Sequence, residues 1–244
     1  GDGMLDWFMT NIFVSSANYF NTLYMGVSVD ESGTPIFLDQ ATVRGVSDNG
    51  WGWGVVSGDY NNDGDVDIIA TNGWPQWPSE PTRYWNNDGL GNFNDQSSIA
   101  GLSFNIDGRG LVHLDYDRDG DLDLAFVDND GPFRLYRNDL GFEGRPFTHF
   151  LRFDINTDLH PCLAPMGYGT RVIATYGGKD HLRVVDGASS YLGQSELTVH
   201  FGLEIIEEVD QVRFEWADGS YTIIENPTID HQSVVYAYHP ADMD

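Results

Sequence analysis

Asp59, Asn61, Asp63, Asp65 and Asp67 occupy alternate places in the stretch D-Y-N-N-D-G-D-V-D. Asp115, Asp117, Asp119, Asp121 and Asp123 repeat the arrangement in D-Y-D-R-D-G-D-L-D. The chain opens on the tail of a third copy, in which Asp2 and Asp6 hold the fifth and ninth places. Carboxylates this close repel one another unless a multivalent cation sits among them. Oxygen ligands at alternate positions, with a glycine at the sharp turn, suit a hard ion such as Ca2+. The first, third, fifth and ninth side chains are expected to face the ion, and the seventh residue to offer its backbone carbonyl. Asp59, Asn61, Asp63 and Asp67 then hold one ion with the Asp65 carbonyl. Asp115, Asp117, Asp119 and Asp123 hold a second with the Asp121 carbonyl, and Asp2 and Asp6 are half of a third site. An EF-hand is excluded, because its twelfth place must be acidic and here carries Ala70 or Phe126. Two metal-free alternatives stay open: an acidic glycine turn with no ion, or a lysine or arginine crossing the corner as counter-charge.

The segments flanking these corners must be strands. Ile68-Ile69-Ala70-Thr71-Asn72 and Leu124-Ala125-Phe126-Val127-Asp128 are short apolar runs with no helical period. Gly54–Gly58 and Leu111–Leu114 lead into the corners. The aromatic strands Arg83-Tyr84-Trp85-Asn86 and Phe133–Asn138 follow, and Asn21–Tyr24 fills that role in the first, partial unit. The ninth-place aspartates Asp6, Asp67 and Asp123 are 61 and 56 residues apart. Such a period in an all-β chain suggests propeller blades. About two and a half blades cannot close a ring of roughly 4–8, so the chain is expected to be the carboxyl end of a longer protein, or to have its ring completed by another chain. Glycine and proline cluster at Gly141–Pro146, which places the boundary of a second module there, with residues 1–144 before it and 145–244 after it. In the latter, Phe150–Ile155, Thr170–Tyr176, Val209–Trp216 and Ser233–Tyr238 alternate as strands. A β-sandwich is the natural arrangement, with Val172, Ala174, Val212 and Phe214, or their alternates, facing inward. The expected fold class is all-β: a partial β-propeller followed by a β-sandwich.

On these residues the chain resembles two known modules. GDYNNDGDVDIIATN, LDYDRDGDLDLAFVDN and RLYRN resemble the FG-GAP, or VCBS, repeats of integrin-α-like propellers. Gly167–Val172, Gly187–Gln194, His200–Leu203 and Val212–Gly219 resemble the ASPIC/UnbV domain. Together they resemble the cartilage acidic protein family and its bacterial relatives. Glu204 departs from that pattern, where glycine is usual. The resemblance implies a secreted, periplasmic or cell-surface protein that uses calcium structurally and serves adhesion.

Composition narrows the function classes. Hydrophobic residues at 41% with 14% aromatics are enough for a packed core, so disorder is not the default. A formal charge of −26 leaves no basic surface for nucleic acid or anionic lipid. Cys162 is the sole cysteine, so no disulfide forms within the chain. No apolar run reaches the length of about 18 residues that a membrane helix needs, so direct membrane insertion is not expected. No Ser-His-Asp set, zinc spacing or phosphate-binding glycine loop stands in a suitable context.

Three readings follow. In the first, the chain binds a protein or glycan partner without catalysis; in the second, the propeller is scaffold for the pocket of an enzyme or enzyme subunit; in the third, the chain is a structural subunit of a larger surface assembly. Trp74 and Trp77 on a proline-stiffened loop could form a platform for a sugar ring, or simply cover a neighbouring blade. Trp51 and Trp53 alternate along a strand as packing residues. His113 is expected in the core and His200 to hold a turn, while Tyr168, Tyr191, His200 and Trp216 could line a small pocket in the sandwich.

Overall fold

The computed structural model describes residues 4–12, 20–48, 50–75, 80–140, 147–187 and 190–238. Asp2, Trp77 and the expected boundary at Gly141–Pro146 lie outside them. The described chain is nearly all β. The first sheet contains β1 (Trp7–Met9), β2 (Thr22–Val29) and β3 (Pro35–Asp39), antiparallel in that order, followed by one short helix, α1 (Ala41–Arg44). The second contains β4 (Gly52–Gly58), β5 (Asp67–Asn72), β6 (Arg83–Asn87) and β7 (Phe93–Asp95), again in sequence order. The third contains β8 (Gly108–Leu114), β9 (Asp123–Asp128) and β10 (Arg134–Tyr136).

Each full aspartate run forms the corner between the first two strands of its sheet, β4 to β5 and β8 to β9. The three sheets stack through their apolar faces. On β5, Ile69 joins Val56, Leu111 and Phe126 in one cluster, while Ile68 and Ala70 join Leu23, Val46 and Trp85 in another. Successive strand residues point to opposite faces, so β5 is buried on both sides. This explains why Ile68-Ile69-Ala70 is continuously apolar, with no polar residue alternating.

The remaining strands are β11 (His149–Asn156), β12 (Arg171–Tyr176), β13 (Lys179–Val184), β14 (Val199–Glu204), β15 (Gln211–Glu215), β16 (Tyr221–Glu225) and β17 (His231–Tyr236). They make two sheets, ordered β14-β11-β17 and β13-β12-β15-β16. All pairs are antiparallel except β11 with β17, which is parallel. Leu151, Phe153, Phe201 and Val235 from one sheet and Val172, Ala174, Val212 and Phe214 from the other share a single core. The Phe153 and Phe214 rings meet edge to face at 5.2 Å. This is the expected sandwich, in the register that buries Val172, Ala174, Val212 and Phe214.

Candidate metal centre

The two aspartate corners have the same internal wiring. Asp59 Oδ1 accepts from the Asp63 amide at 3.0 Å and Oδ2 from the Gly64 amide at 2.9 Å. Asp115 accepts from Asp119 at 3.2 Å and Gly120 at 3.1 Å in the same way. The fifth-place carboxylate caps the seventh amide in both, at 2.9 Å for Asp63 and 3.1 Å for Asp119. The fourth residues, Asn62 and Arg118, are left-handed at φ 57° and 63°. Gly64 and Gly120 sit at φ 93° and 96°. Only glycine adopts that last conformation without strain, which is why the motif keeps glycine at its sixth place.

The ninth aspartate closes each corner. Asp67 Oδ1 accepts from the Asn87 amide at 2.8 Å, and Asp123 Oδ1 from the Asn138 amide at 2.7 Å. The side chains of Asn87 and Asn138 bond back to the carbonyls of Val66 and Leu122. In the first unit Asp6 Oδ1 accepts from the Gly26 amide at 2.9 Å, so the truncated copy repeats the closure. Sequence reasoning missed the role of Asn87 and Asn138. The signal was present as an asparagine ending each aromatic strand, in Y-W-N-N and L-Y-R-N.

Burial makes the corners electrostatically costly. It pushes the Asp59, Asp67 and Asp121 carboxyls up to about 7, and that of Asp123 to about 6. The same cause raises Asp119. The ligand atoms of Asp115, Asp117 and Asp123 lie within 4.8 Å of one another, a spacing that could hold a metal ion. Asp121 acts through its side chain as well: its Oδ1 accepts from the Asn62 amide group at 2.8 Å and its Oδ2 from the Leu140 N–H at 2.9 Å.

Arginine counter-charges are also present, brought by the sandwich strands. Arg152 on β11, itself buried, pairs with Asp115 Oδ2 and with Glu196 Oε1, the latter at 2.6 Å. Arg183 on β13 comes within 3.6 Å of Asp59 Oδ2. These arginines reach the leading aspartate only, one carboxylate of four in the first corner and one of five in the second. Arg137 adds a longer approach, 3.9 Å, to Asp117. Both corners therefore keep an excess of negative charge, and their donor set of carboxylate oxygens fits a hard cation.

The corners also join the stacked sheets to the sandwich. The Gly64 carbonyl accepts from Arg183 Nη2 at 3.2 Å and faces His181 Nδ1 at 3.1 Å, while the Gly120 carbonyl faces His200 Nε2 at 2.9 Å. The Gly202 amide donates to Asp59 Oδ2 at 3.0 Å, and the Glu204 amide to the Asn62 carbonyl at 2.7 Å. A side chain at position 202 would collide with the backbone of Asn62. His200, itself in β14, thus reaches across to a turn, the Gly120 corner. Burial pushes its imidazole down to about 3, so it bonds as a neutral ring.

The other expected sites fare differently. His113 is half-buried, 3.0 Å from the Tyr60 hydroxyl, with its imidazole pushed down to about 4 by desolvation. Tyr168, Tyr191, His200 and Trp216 each have other partners. Trp216 and Tyr168 belong to the sandwich core, Tyr191 packs on Trp53, and His200 meets Gly120.

Residues 163–239 match the family described as ASPIC and UnbV. The chain is 26% identical to cartilage acidic protein 1 of Mus musculus, over 96% of this chain and 44% of that protein. The human protein of the same name is also 26% identical, over 96% and 43%, and the Xenopus tropicalis one 25%, over 86% and 40%. The chain thus spans less than half the length of these relatives. Among the described residues no helix is long and apolar enough to cross a membrane.

Proposed function

We propose that this chain is the calcium-stapled part of an extracellular or cell-surface protein that presents binding surface and performs no catalysis. One observation carries the reading: two aspartate corners share most of their backbone wiring, each keeps carboxylate beyond the one its arginine reaches, and the second brings Asp115, Asp117 and Asp123 within 4.8 Å of one another. Asp59, Asn61, Asp63 and Asp67 would hold one ion and Asp115, Asp117, Asp119 and Asp123 the other, with Asp2 and Asp6 contributing to a third. Bound calcium would supply charge neutralisation at corners that the backbone has already shaped. The chain's own residues do the rest. Glycines turn the corner, Asn87 and Asn138 lock the ninth aspartate, and Arg152 and Arg183 tie each corner to the sandwich.

The stacked three- and four-stranded sheets support the reading of residues 1–144 as FG-GAP-like blades of a propeller, with residues 145–244 as the ASPIC/UnbV sandwich. Further blades would come from a preceding segment or another chain. Similarity to proteins named for cartilage supports an extracellular setting, where calcium loops of modest affinity, about 10⁻⁴–10⁻³ M, are filled. Ligand that binds only the folded state raises stability by mass action. The test is thermal unfolding in excess calcium and in chelator, with calorimetric titration of the stripped chain. A large rise in melting temperature with two or more bound ions is expected. Equal melting in both buffers would sink the proposal.

A further inference from the structure

At the end of the stacked sheets opposite to the aspartate corners lies a half-open groove of about 180 Å³, lined by Trp74, Pro75, Asn105, Ile106, Asp107 and Asp128. Asp128 ends the strand that Asp123 begins, and at about 3.3 Å per residue the two are roughly 16 Å apart. Trp74 is fixed by stacking on Trp51 at 4.9 Å and on Trp53 at 6.4 Å, both at 20°. Trp53 is pinned in turn by Tyr191 and by the Arg109 guanidinium, 4.2 Å from its ring centre. Trp74 remains only part-buried and lines the groove, with the Arg109 guanidinium 5.9 Å from its ring centre. The expectation that tryptophans here merely cover a neighbour therefore accounts for part of the indole only.

We infer that this groove binds a single pyranose ring of a glycan. The inference rests on the reading of the chain as a binding protein and names the class of its ligand. A sugar ring offers a patch of C–H bonds on one face and hydroxyls around its rim. It therefore needs a flat, rigid π-face with amide and carboxylate groups beside it. Trp74 supplies the face, and Asn105, Asp107 and Asp128 supply the rim. The volume is below the roughly 300–1,000 Å³ of sites for drug-sized ligands, and the open side lets the rest of a glycan run into solvent. An indole beside carboxylates could also take a cation. That place is filled from within the chain, since Arg109 lies over Trp53 and pairs with Asp107 at 2.5 Å.

The test is saturation-transfer NMR of the folded chain in calcium buffer. The probes are the methyl glycosides of glucose, galactose, mannose and N-acetylglucosamine, with tetramethylammonium as the cationic probe. At least one glycoside should bind, and Trp74→Ala should weaken it about tenfold or more. Asn105→Ala and Asp128→Asn, at the accessible rim, should each weaken it severalfold, with melting temperature unchanged; they keep the test decisive if the tryptophan variant misfolds. Absence of binding by all four glycosides, unaltered binding in both rim variants, or tetramethylammonium binding in place of the sugars would overturn the inference. A chain that binds calcium but no glycoside refutes the groove alone. A chain that binds a glycoside but no calcium refutes the metal reading alone.

Discussion

The corner at Asp59–Asp67 and the corner at Asp115–Asp123 share a backbone but not an environment. In the first, Asp67 is held by four donors: the amides of Tyr60 and Asn87, the Tyr84 hydroxyl and the Asn86 side chain. In the second, Asp123 accepts from the amides of Tyr116 and Asn138. The first corner has Asn61 at its third place, where the second has Asp117. The first meets a half-distant arginine, Arg183, and the second a buried one, Arg152, in direct contact. Repetition of a motif thus fixes hydrogen bonding within the corner, while charge balance is set by what packs against it. The second corner carries more charge and depends more heavily on its arginine.

The largest effect should come from removing those arginines. Arg152→Met strands Asp115 in the interior and leaves half-buried Glu196 without this partner, and loss of one partner of a buried pair costs about 3–5 kcal/mol. Arg183→Met removes charged hydrogen bonds at a partly exposed site, for about 1.5–3 kcal/mol. Urea unfolding of both variants checks the order, and a larger loss from Arg183→Met would reverse the comparison.

Chelated protein should also lose stability as pH rises. Free aspartate titrates near 3.9, whereas Asp59, Asp67 and Asp121 titrate at about 7 in the folded chain and Asp123 at about 6. Between these values the folded state binds more protons than the unfolded one. Stability is then highest below pH 4 for these groups and falls as pH rises to about 7. Calcium, which favours the charged carboxylates, should flatten this slope. Melting temperatures across pH 4–8 with and without chelator test it, and a rising curve in chelator would contradict it.

Gly202→Ala should cost about 1–3 kcal/mol through overpacking, because its new methyl group meets the Asn62 backbone. It should weaken calcium at the first corner and spare the second, which calorimetric titration can resolve as the loss of one ion. The smallest effect is expected from Asn61→Asp. It brings the first corner to the carboxylate count of the second, and a higher ligand charge tightens calcium loops. A severalfold gain at one site is expected; no change would mean that charge count does not separate the two corners.

The sequence made the corners legible because their ligand spacing and glycine are local. It also made legible the strands on either side, since Ile68–Ala70 and Leu124–Phe126 are apolar without helical period. The sandwich register stayed open because period-two alternation allows either face to turn inward. Burial of Val172 and Phe214 was decided by the facing sheet, through Phe153. The parallel pairing of β11 with β17 and the docking of Arg152 onto Asp115 were hidden altogether. Both join residues far apart in the chain, and no local pattern distinguishes an arginine bound for a buried carboxylate from one that stays in water. His200 and Gly202 were visible as part of a signature, yet their purpose emerged only when the corner they touch was in place.

At Gly202 the main chains of two layers pass where neither leaves space for a side chain. Such a crossing has no room to slide or swivel, so it transmits load as a bolt does and not as a hinge. Under tension, the sheets and the sandwich should part in one rupture, because the amide contacts at Asp59 and Asn62 fail together with the guanidinium clasp. Single-molecule pulling across residues 140 and 147 would show that event as one sharp peak, or as graded yielding if the bolt is looser than its geometry implies.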